Sequence, residues 1–266
     1  MDRWDDGSGY EAYVGRWSRR VAERFLPWLD VPRGAHWVDV GCGTGELTRA
    51  ILVLQAPESV LSIDPSAGFL ARARLLTRDT RAEFVEGTAS RLPVRDGSAG
   101  AAVAGLVLNF VPDVDAALGE MRRAVVPGGI VGGYVWDYGG EMQLMRRFWD
   151  AAIELDPGAV ALDEGLRFPL AQEAGLAAAF ERARLAEVEV TAIDIPTIFR
   201  DFEDYWAPFL TGVAPAPGYA VSLEPEARER LRSRLEATLP REPDGSIALI
   251  ARAWAAKGRR PEGETA

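Results

Sequence analysis

A single cysteine, Cys42, and a single histidine, His36, stand among 266 residues. One cysteine excludes an internal disulfide framework and is compatible with a reducing compartment. One residue of each kind cannot build a metal centre of the usual nitrogen and sulfur type, so no metal is expected. Basic charge is short as well: 30 Lys and Arg against 40 Asp and Glu leave a formal net charge of −10. Phosphate binding needs a basic face, so no nucleic acid is expected as a partner. No apolar run approaches the roughly 18 residues of a membrane span, so no membrane is expected either. The start, Met1-Asp2-Arg3-Trp4-Asp5-Asp6, does not read as a signal peptide, and no internal repeat stands out. What remains is an ordinary globular composition, 48% hydrophobic and 26% charged, able to bury a substantial core. The length suits one large α/β domain with an elaboration, or two small ones. The expectation is an acidic, cytoplasmic, metal-free protein.

The apolar pattern then sets the elements. Val14, Trp17, Val21, Phe25 and Trp28/Leu29 recur at helical spacing. Residues 37–40 read as a strand and 46–55 as a helix. Strands at 59–64 and 81–86 flank a helix at 66–76. Residues 99–108 form an almost wholly apolar run of small side chains, suited to a central strand buried on both faces. A helix at 113–125 and a strand at 130–136 follow, separated by Pro127-Gly128-Gly129. Strands alternating with helices indicate βαβ units and a parallel sheet. Beyond Trp136 the order changes: helices at 142–155, 170–183 and 226–239, and strands at 186–195 and 246–253. The polar residues 258–266 read as a disordered tail.

Three glycines at alternate positions, Gly41, Gly43 and Gly45, follow the first strand directly and open a helix. Glycine lets the backbone turn sharply and lets a ligand lie against the main chain. The helix start adds free N–H groups and a positive dipole end. This describes a nucleotide-type site at the mouth of a parallel sheet. In the dinucleotide fingerprint G-x-G-x-x-G the third glycine would fall at position 46, which is Glu46. A carboxylate there is a poor neighbour for a pyrophosphate but suits a ligand with a cationic amino group.

The string from Val38 to Gly45, Val-Asp-Val-Gly-Cys-Gly-Thr-Gly, resembles motif I of class I S-adenosylmethionine (SAM) methyltransferases. Further points support the resemblance. Residues 86–93 are similar to the segment that contacts adenine, with Thr88 where relatives often carry an acid and Ala89 beside it. Residues 99–113 resemble motif IV without its usual Asp, since Ala99-Gly100 stand there, and Pro127-Gly128-Gly129 matches the loop before strand five. Within that family the resemblance is to the ubiquinone/menaquinone-biosynthesis-like "methyltransferase 11" group. It implies an α/β fold: a Rossmann-like, seven-stranded, mostly parallel sheet with helices on both faces, an antiparallel last strand and a helical substrate cap. One domain over residues 1–257 follows, with cap elements at about 1–30, 138–169 and 196–243. The resemblance also implies SAM as cofactor, held by Asp39, Gly41, Cys42, Gly43, Gly45, Asp64, Pro65, Thr88, Ala89, Leu106 and Asn109. Tyr13, Arg16 and Trp17 lie on the N-terminal segment that folds over SAM in similar enzymes.

Individual residues carry competing readings. Asp64 ends the second strand about 20 residues past the glycine loop, where a carboxylate meets ribose hydroxyls. It also reads as an N-cap with Pro65 at the first helical position. Asp39 lies inside a strand, where a carboxylate must be paired or hydrogen-bonded. His36 precedes the first strand and reads as structural. Asp137 leaves the fifth strand at its carboxyl end and is the candidate base or substrate anchor, against a loop-capping reading; Tyr13 is the second catalytic candidate. Eight Trp, with aromatics concentrated at 136–149 and 199–209, suggest an apolar lid and hence a hydrophobic or aromatic small-molecule acceptor, against plain core packing. The expected reaction is methyl transfer to an O, N or C atom of a small metabolite. Two rivals are a SAM-binding protein that uses the cofactor structurally for another reaction, and a nicotinamide-dependent oxidoreductase, disfavoured by Glu46. The acceptor, the pathway and the oligomeric state stay open.

Overall fold

The computed structural model of the protein describes residues 16–212 and 214–263. Seven strands are β1 (His36–Val40), β2 (Ser59–Asp64), β3 (Ala82–Glu86), β4 (Ala99–Gly105), β5 (Val125–Trp136), β6 (Ala186–Phe199) and β7 (Ile247–Arg259). They form one sheet in the order β3-β2-β1-β4-β5-β7-β6. Pairs β1–β2, β2–β3, β1–β4 and β4–β5 are parallel. The chain builds outward from β1 in one direction and returns to add β4 on its other side. That reversal is a topological switch point, where open α/β sheets bind ligands beyond the strands' carboxyl ends.

β7 is the antiparallel strand. Arg260 bonds across to Gly128 and Gly129, while Arg252 accepts from Asp137, so partner numbers fall along β7 as they rise along β5. The same reversal relates β7 to β6 through three cross-strand ion pairs, Arg259–Glu187, Lys257–Glu189 and Arg252–Asp194. The pairs at Lys257 and Arg259 explain why β7 outruns its expected end at Ala253; β6 also runs past Ile195, to Phe199. The charged residues of β7 continue the strand's alternation, each matched by an acid on β6. Residues 258–260 accordingly lie in or next to β7 and not in a disordered tail. Arg260 is buried and donates to the carbonyls of Arg123 and Val125.

The chain divides into two compact units. The sheet unit comprises Ser18–Val135, Leu170–Ile193 and Ala253–Ala266; the second, aromatic unit comprises Met1–Trp17, Trp136–Pro169 and Asp194–Arg252. The expected cap segments at 138–169 and 196–243 fall within the second unit, whereas 1–30 is split after Trp17.

Helix α1 (Arg16–Leu29) buries Val21, Ala22, Phe25, Leu26 and Leu29 in the sheet unit. Phe25 and Leu29 press so closely on β5 that a Cβ at Gly132 would stand 2.8 Å from Leu29. The same unit holds α2 (Glu46–Leu54), α3 (Ala67–Leu76), α4 (Val114–Ala124) and α7 (Glu173–Arg182). Leu118 and Met121 of α4 and Leu176 and Phe180 of α7 share one core with Val38, Ala102, Ala104 and Val131 of the strands. The second unit contains α5 (Gln143–Leu155), α6 (Glu164–Arg167), α8 (Phe202–Trp206), α9 (Pro215–Ser222) and α10 (Pro225–Thr238). Its core is aromatic. Phe148 stacks on Phe209 at 4.4 Å and meets Trp149 edge-on, and Phe209 continues to Tyr205 and Trp206. All five rings are buried against one another, so these members of the aromatic segments 136–149 and 199–209 pack a core.

Candidate functional site

In the sheet unit, β1 ends at Val40 and the chain turns through Gly41, Gly43 and Gly45, each with positive φ (71°, 52° and 85°). Side chains are disfavoured in that region, and Gly41 and Gly45 are further constrained by their neighbours. A Cβ at Gly41 would lie 2.5 Å from a methyl of Val107, and one at Gly45 3.4 Å from Ala73 and Phe84. At Gly43 a Cβ would meet nothing within 4 Å. Gly43 is therefore the glycine that faces open space.

The loop's amides are already engaged. Gly41 and Cys42 donate to the Ile63 carbonyl, Gly45 donates to Cys42, and Gly43 donates to Asp64 Oδ2 at 2.9 Å. This suits a ligand without phosphate, since a phosphate nest needs those amides unpaired. Glu46 pairs with Arg49 one turn along its own helix instead of standing open.

Asp64 is buried and holds two backbone amides, Gly43 through Oδ2 and Ser66 through Oδ1 at 2.8 Å. Burial raises its carboxyl and the two amides pull it back. It is not the helix cap. Ser66 is the N-cap of α3, its hydroxyl accepting from Phe69 N–H, and Pro65 lies outside the helix. Asp64 clamps the glycine loop to the end of β2.

Asp39 is wholly buried at the next position of the sheet. Its Oδ2 accepts from Thr48 Oγ1 at 2.6 Å, and Thr48 in turn meets Ser62 Oγ at 2.8 Å. Oδ1 has no hydrogen-bond partner. Burial pushes this carboxyl up to about 7, opposed by the Thr48 hydroxyl and reinforced by the charge of Asp64. Thr48 and Ser62 were not singled out from sequence; a Thr in the first helical turn after the glycines and a Ser inside an apolar strand were the available signals. Cys42 is buried, with its thiol pushed well above its ordinary range chiefly by desolvation, so it is no nucleophile.

Two further segments close around the strand ends. After β3, Gly87 donates to the Asp64 carbonyl, and Thr88 and Arg91 form a small bridge that carries Ala89 and Ser90. After β4, Leu106 takes a positive φ of 61°, which is strained for a leucine, and donates its N–H to Tyr134 at 2.8 Å. That turn puts Val107 against Gly41 and leads into the short 3₁₀ segment Leu108–Phe110. Both ends of the Asn109 amide are shut off from solvent without a hydrogen-bond partner. Asp39, Gly41, Cys42, Gly43, Gly45, Asp64, Pro65, Thr88, Ala89, Leu106 and Asn109 thus gather at the carboxyl ends of β1, β2, β3 and β4.

The remaining candidates lie elsewhere. His36 is at the amino end of β1, bonded to Ser59 Oγ at 2.8 Å. Tyr13 lies outside the described residues. Arg16, Trp17 and Asp137 belong to the second unit. There Asp137 is buried, its Oδ2 accepting from Glu141 N–H at 2.9 Å and its carbonyl from Gly140 and Met142. A Cβ at Gly140 would collide with that carboxylate. This is the geometry of a turn cap. Among the described residues no cluster of metal-ligating side chains occurs, and no helix is long and apolar enough to cross a membrane.

A Rossmann-like α/β sheet with the order above and an antiparallel β7 is the fold of solved methyltransferase structures. Residues 38–132 match the methyltransferase-domain family Methyltransf_11. These residues are thus a methyltransferase domain by sequence, similar to quinone-related methyltransferases. The chain is 36% identical over 106 residues to 2-phytyl-1,4-naphthoquinone methyltransferase of Thermosynechococcus vestitus, covering 39% of this chain and 47% of that one. It is 32% identical over 113 residues to malonyl-[acyl-carrier protein] O-methyltransferase of Pectobacterium atrosepticum, covering 42% and 43%. The chain therefore spans less than half the length of these two curated relatives. In fold it is similar to phosphoethanolamine N-methyltransferase 2 of Haemonchus contortus, solved with S-adenosylhomocysteine (TM-score 0.60, 15% identity, 96% of this chain and 57% of that one).

Proposed function

We propose that the protein transfers a methyl group from SAM to an O, N or C atom of a small acceptor molecule. The observation that carries this reading is Asp39 Oδ1, a buried acceptor with no donor, on the strand that leads into a glycine loop whose Gly43 faces open space. The amino-acid end of SAM carries an ammonium and no phosphate, and it fits that donor set. An ammonium would supply the missing donor and hold the carboxyl ionised against its burial. Asp39 and Gly43 would hold this end. Asp64 would keep the loop in place and offer its remaining lone pairs to ribose hydroxyls; Thr88 and Ala89 would border the base. Leu106 and Asn109 would border the methionine side.

The cofactor, when bound, supplies a methyl group activated on a sulfonium. The chain's task is then mainly orientation, which can supply a large part of the rate of such a displacement. Asp137 is read as an anchor of its own turn and not as a base, because its carboxylate already holds Glu141 N–H. The net charge of −10 supports a small acceptor over nucleic acid, and the single buried cysteine fits a cytoplasmic setting. The names of the two relatives make quinones and carboxylic acids the first acceptors to try.

Incubation with methyl-labelled SAM and a panel of demethylated naphthoquinones, phenols, amines and carboxylic acids tests the reading. Acceptor-dependent release of S-adenosylhomocysteine is the expected result. Tight SAM binding without turnover on any acceptor would favour the structural use of the cofactor, and binding of NAD(H) in place of SAM would favour the oxidoreductase.

A further inference from the structure

The polar chain behind the glycine loop can run in two directions. Asp39 and Ser62 are direct partners across β1 and β2, so their side chains share one face of the sheet. Thr48, in the first turn of α2, meets both, with its Oγ1 2.6 Å from Asp39 Oδ2 and 2.8 Å from Ser62 Oγ. All three residues are buried. A hydroxyl has one proton to give and lone pairs with which to accept. With Asp39 ionised, Thr48 donates to Oδ2 and Ser62 donates to Thr48. With a proton on Oδ2 both hydroxyls turn, so that Asp39 donates to Thr48 and Thr48 to Ser62. Either direction keeps the same two hydrogen bonds, and no heavy atom has to move.

The surroundings decide which state the empty site holds. Oδ1 has no donor, and an ionised oxygen left unmet in a buried place is costly. Desolvation accordingly raises the carboxyl to about 7, and the charge of Asp64 on β2 adds to the rise. The other neighbours leave that balance alone. On α2, Glu46 and Arg49 pair with each other. In the loop, burial pushes the Cys42 thiol well above its ordinary range, so it carries no charge. Arg74 on α3 donates to the Phe84 carbonyl. On β4, Asp39 pairs with Val103, and Ala101 and Ala102 beside it do not titrate.

We propose that Thr48 and Ser62 are positioning residues that make ligand binding an exchange of cations: the empty site keeps a proton on Asp39, and the ammonium of the bound ligand replaces it. The proton leaves to solvent, Oδ1 accepts from the ammonium, and the hydroxyls turn so that Ser62 donates to Thr48 and Thr48 to Oδ2. This exchange rests on the reading that the amino-acid end of SAM meets Asp39, and it adds a selectivity. A cationic amino group is required, and it binds more tightly as pH rises from 6 to 8.

Calorimetric titration of S-adenosylhomocysteine at pH 6, 7 and 8, each in two buffers of different ionisation enthalpy, counts the protons released. The wild-type chain should release about one proton per ligand at pH 6 and almost none at pH 8, with affinity about tenfold weaker at pH 6. The analogue of S-adenosylhomocysteine with hydrogen in place of its amino group should bind without releasing a proton. Asp39→Asn should abolish the release, which assigns it to this carboxyl. Thr48→Val removes the hydroxyl that favours the ionised form. Proton release should then persist to pH 8 and affinity at pH 7 should fall by about three- to tenfold; Thr48→Ser should restore both. Ser62→Ala should move both in the same direction by less. A threonine that only packs would change the melting temperature and leave the proton count at its wild-type value. Wild-type binding with no proton released at pH 6, or a Thr48→Val chain that keeps the wild-type count, overturns the proposal and leaves the SAM reading in place. No binding at any pH overturns both.

Discussion

Each unit buries a carboxyl group that desolvation pushes up to about 7, Asp39 in one and Glu164 in the other. Their surroundings differ. Glu164 accepts from the Trp149 indole N–H, and Trp149 is packed against Phe148 and Tyr219 in a closed aromatic core. Asp39 lies at the carboxyl end of a central strand with one oxygen unmet, on the strand that leads into a glycine loop whose Gly43 faces open space. Both groups resist ionisation, yet only the second has an oxygen that lacks a donor. Burial and a raised carboxyl do not by themselves mark a ligand site; the unmet atom at a switch point does.

The comparison can be broken in several places. Phe148→Ala should have the largest effect, a loss of about 3–5 kcal/mol in denaturant unfolding, because a wholly buried ring stacked on Phe209 leaves a cavity. A loss near zero would mean that the aromatic unit is not a packed core. Gly41→Ala should cost about 2–4 kcal/mol, combining a left-handed backbone with a Cβ driven into Val107. Its neighbour gives the contrast. Gly43→Ala has the same backbone cost of about 1–2 kcal/mol and no steric one, so its main effect should be on binding of S-adenosylhomocysteine. If Gly43→Ala destabilises as much as Gly41→Ala, the open space at Gly43 is not there.

The smaller effect is pH-linked. The Glu164 carboxyl lies above its ordinary 4.5 in the folded protein. Its contribution to stability is therefore full below about 4.5 and is lost as pH rises through about 7. Asp39 adds a slope of the same sign. Urea midpoints from pH 5 to 8 should fall in the wild type. Glu164→Gln keeps an acceptor for the indole and should remove about 1–3 kcal/mol of that fall. An identical slope in the variant would show that Glu164 is not the group responsible.

The sheet unit was largely legible in the residue order, because glycines at fixed spacing, a carboxylate ending a strand and a run of small apolar residues each have few conformational solutions. The loop, Asp64 and the central place of β4 all follow from such constraints. The polar relay was not legible, since Thr48 and Ser62 meet Asp39 only when α2 folds back over β1 and β2. Nor was the role of Asp64 as a clamp: Asp64-Pro65 looks like a helix start, and only the fold shows that Ser66 takes the cap. The length of β7 escaped for a similar reason, because Lys257 and Arg259 look like polar termination until the acids on the neighbouring strand are seen. In the second unit, aromatic composition alone could not distinguish a lid from a core.

The central claim is that Asp39 Oδ1 waits for the cationic end of SAM. Calorimetric titration of S-adenosylhomocysteine into the wild-type chain and into Asp39→Asn, with melting temperatures measured alongside, tests it most directly. Binding at one site per chain is expected, weakened by about 1–3 kcal/mol in the variant while melting changes little. Equal affinity in the two proteins would contradict it.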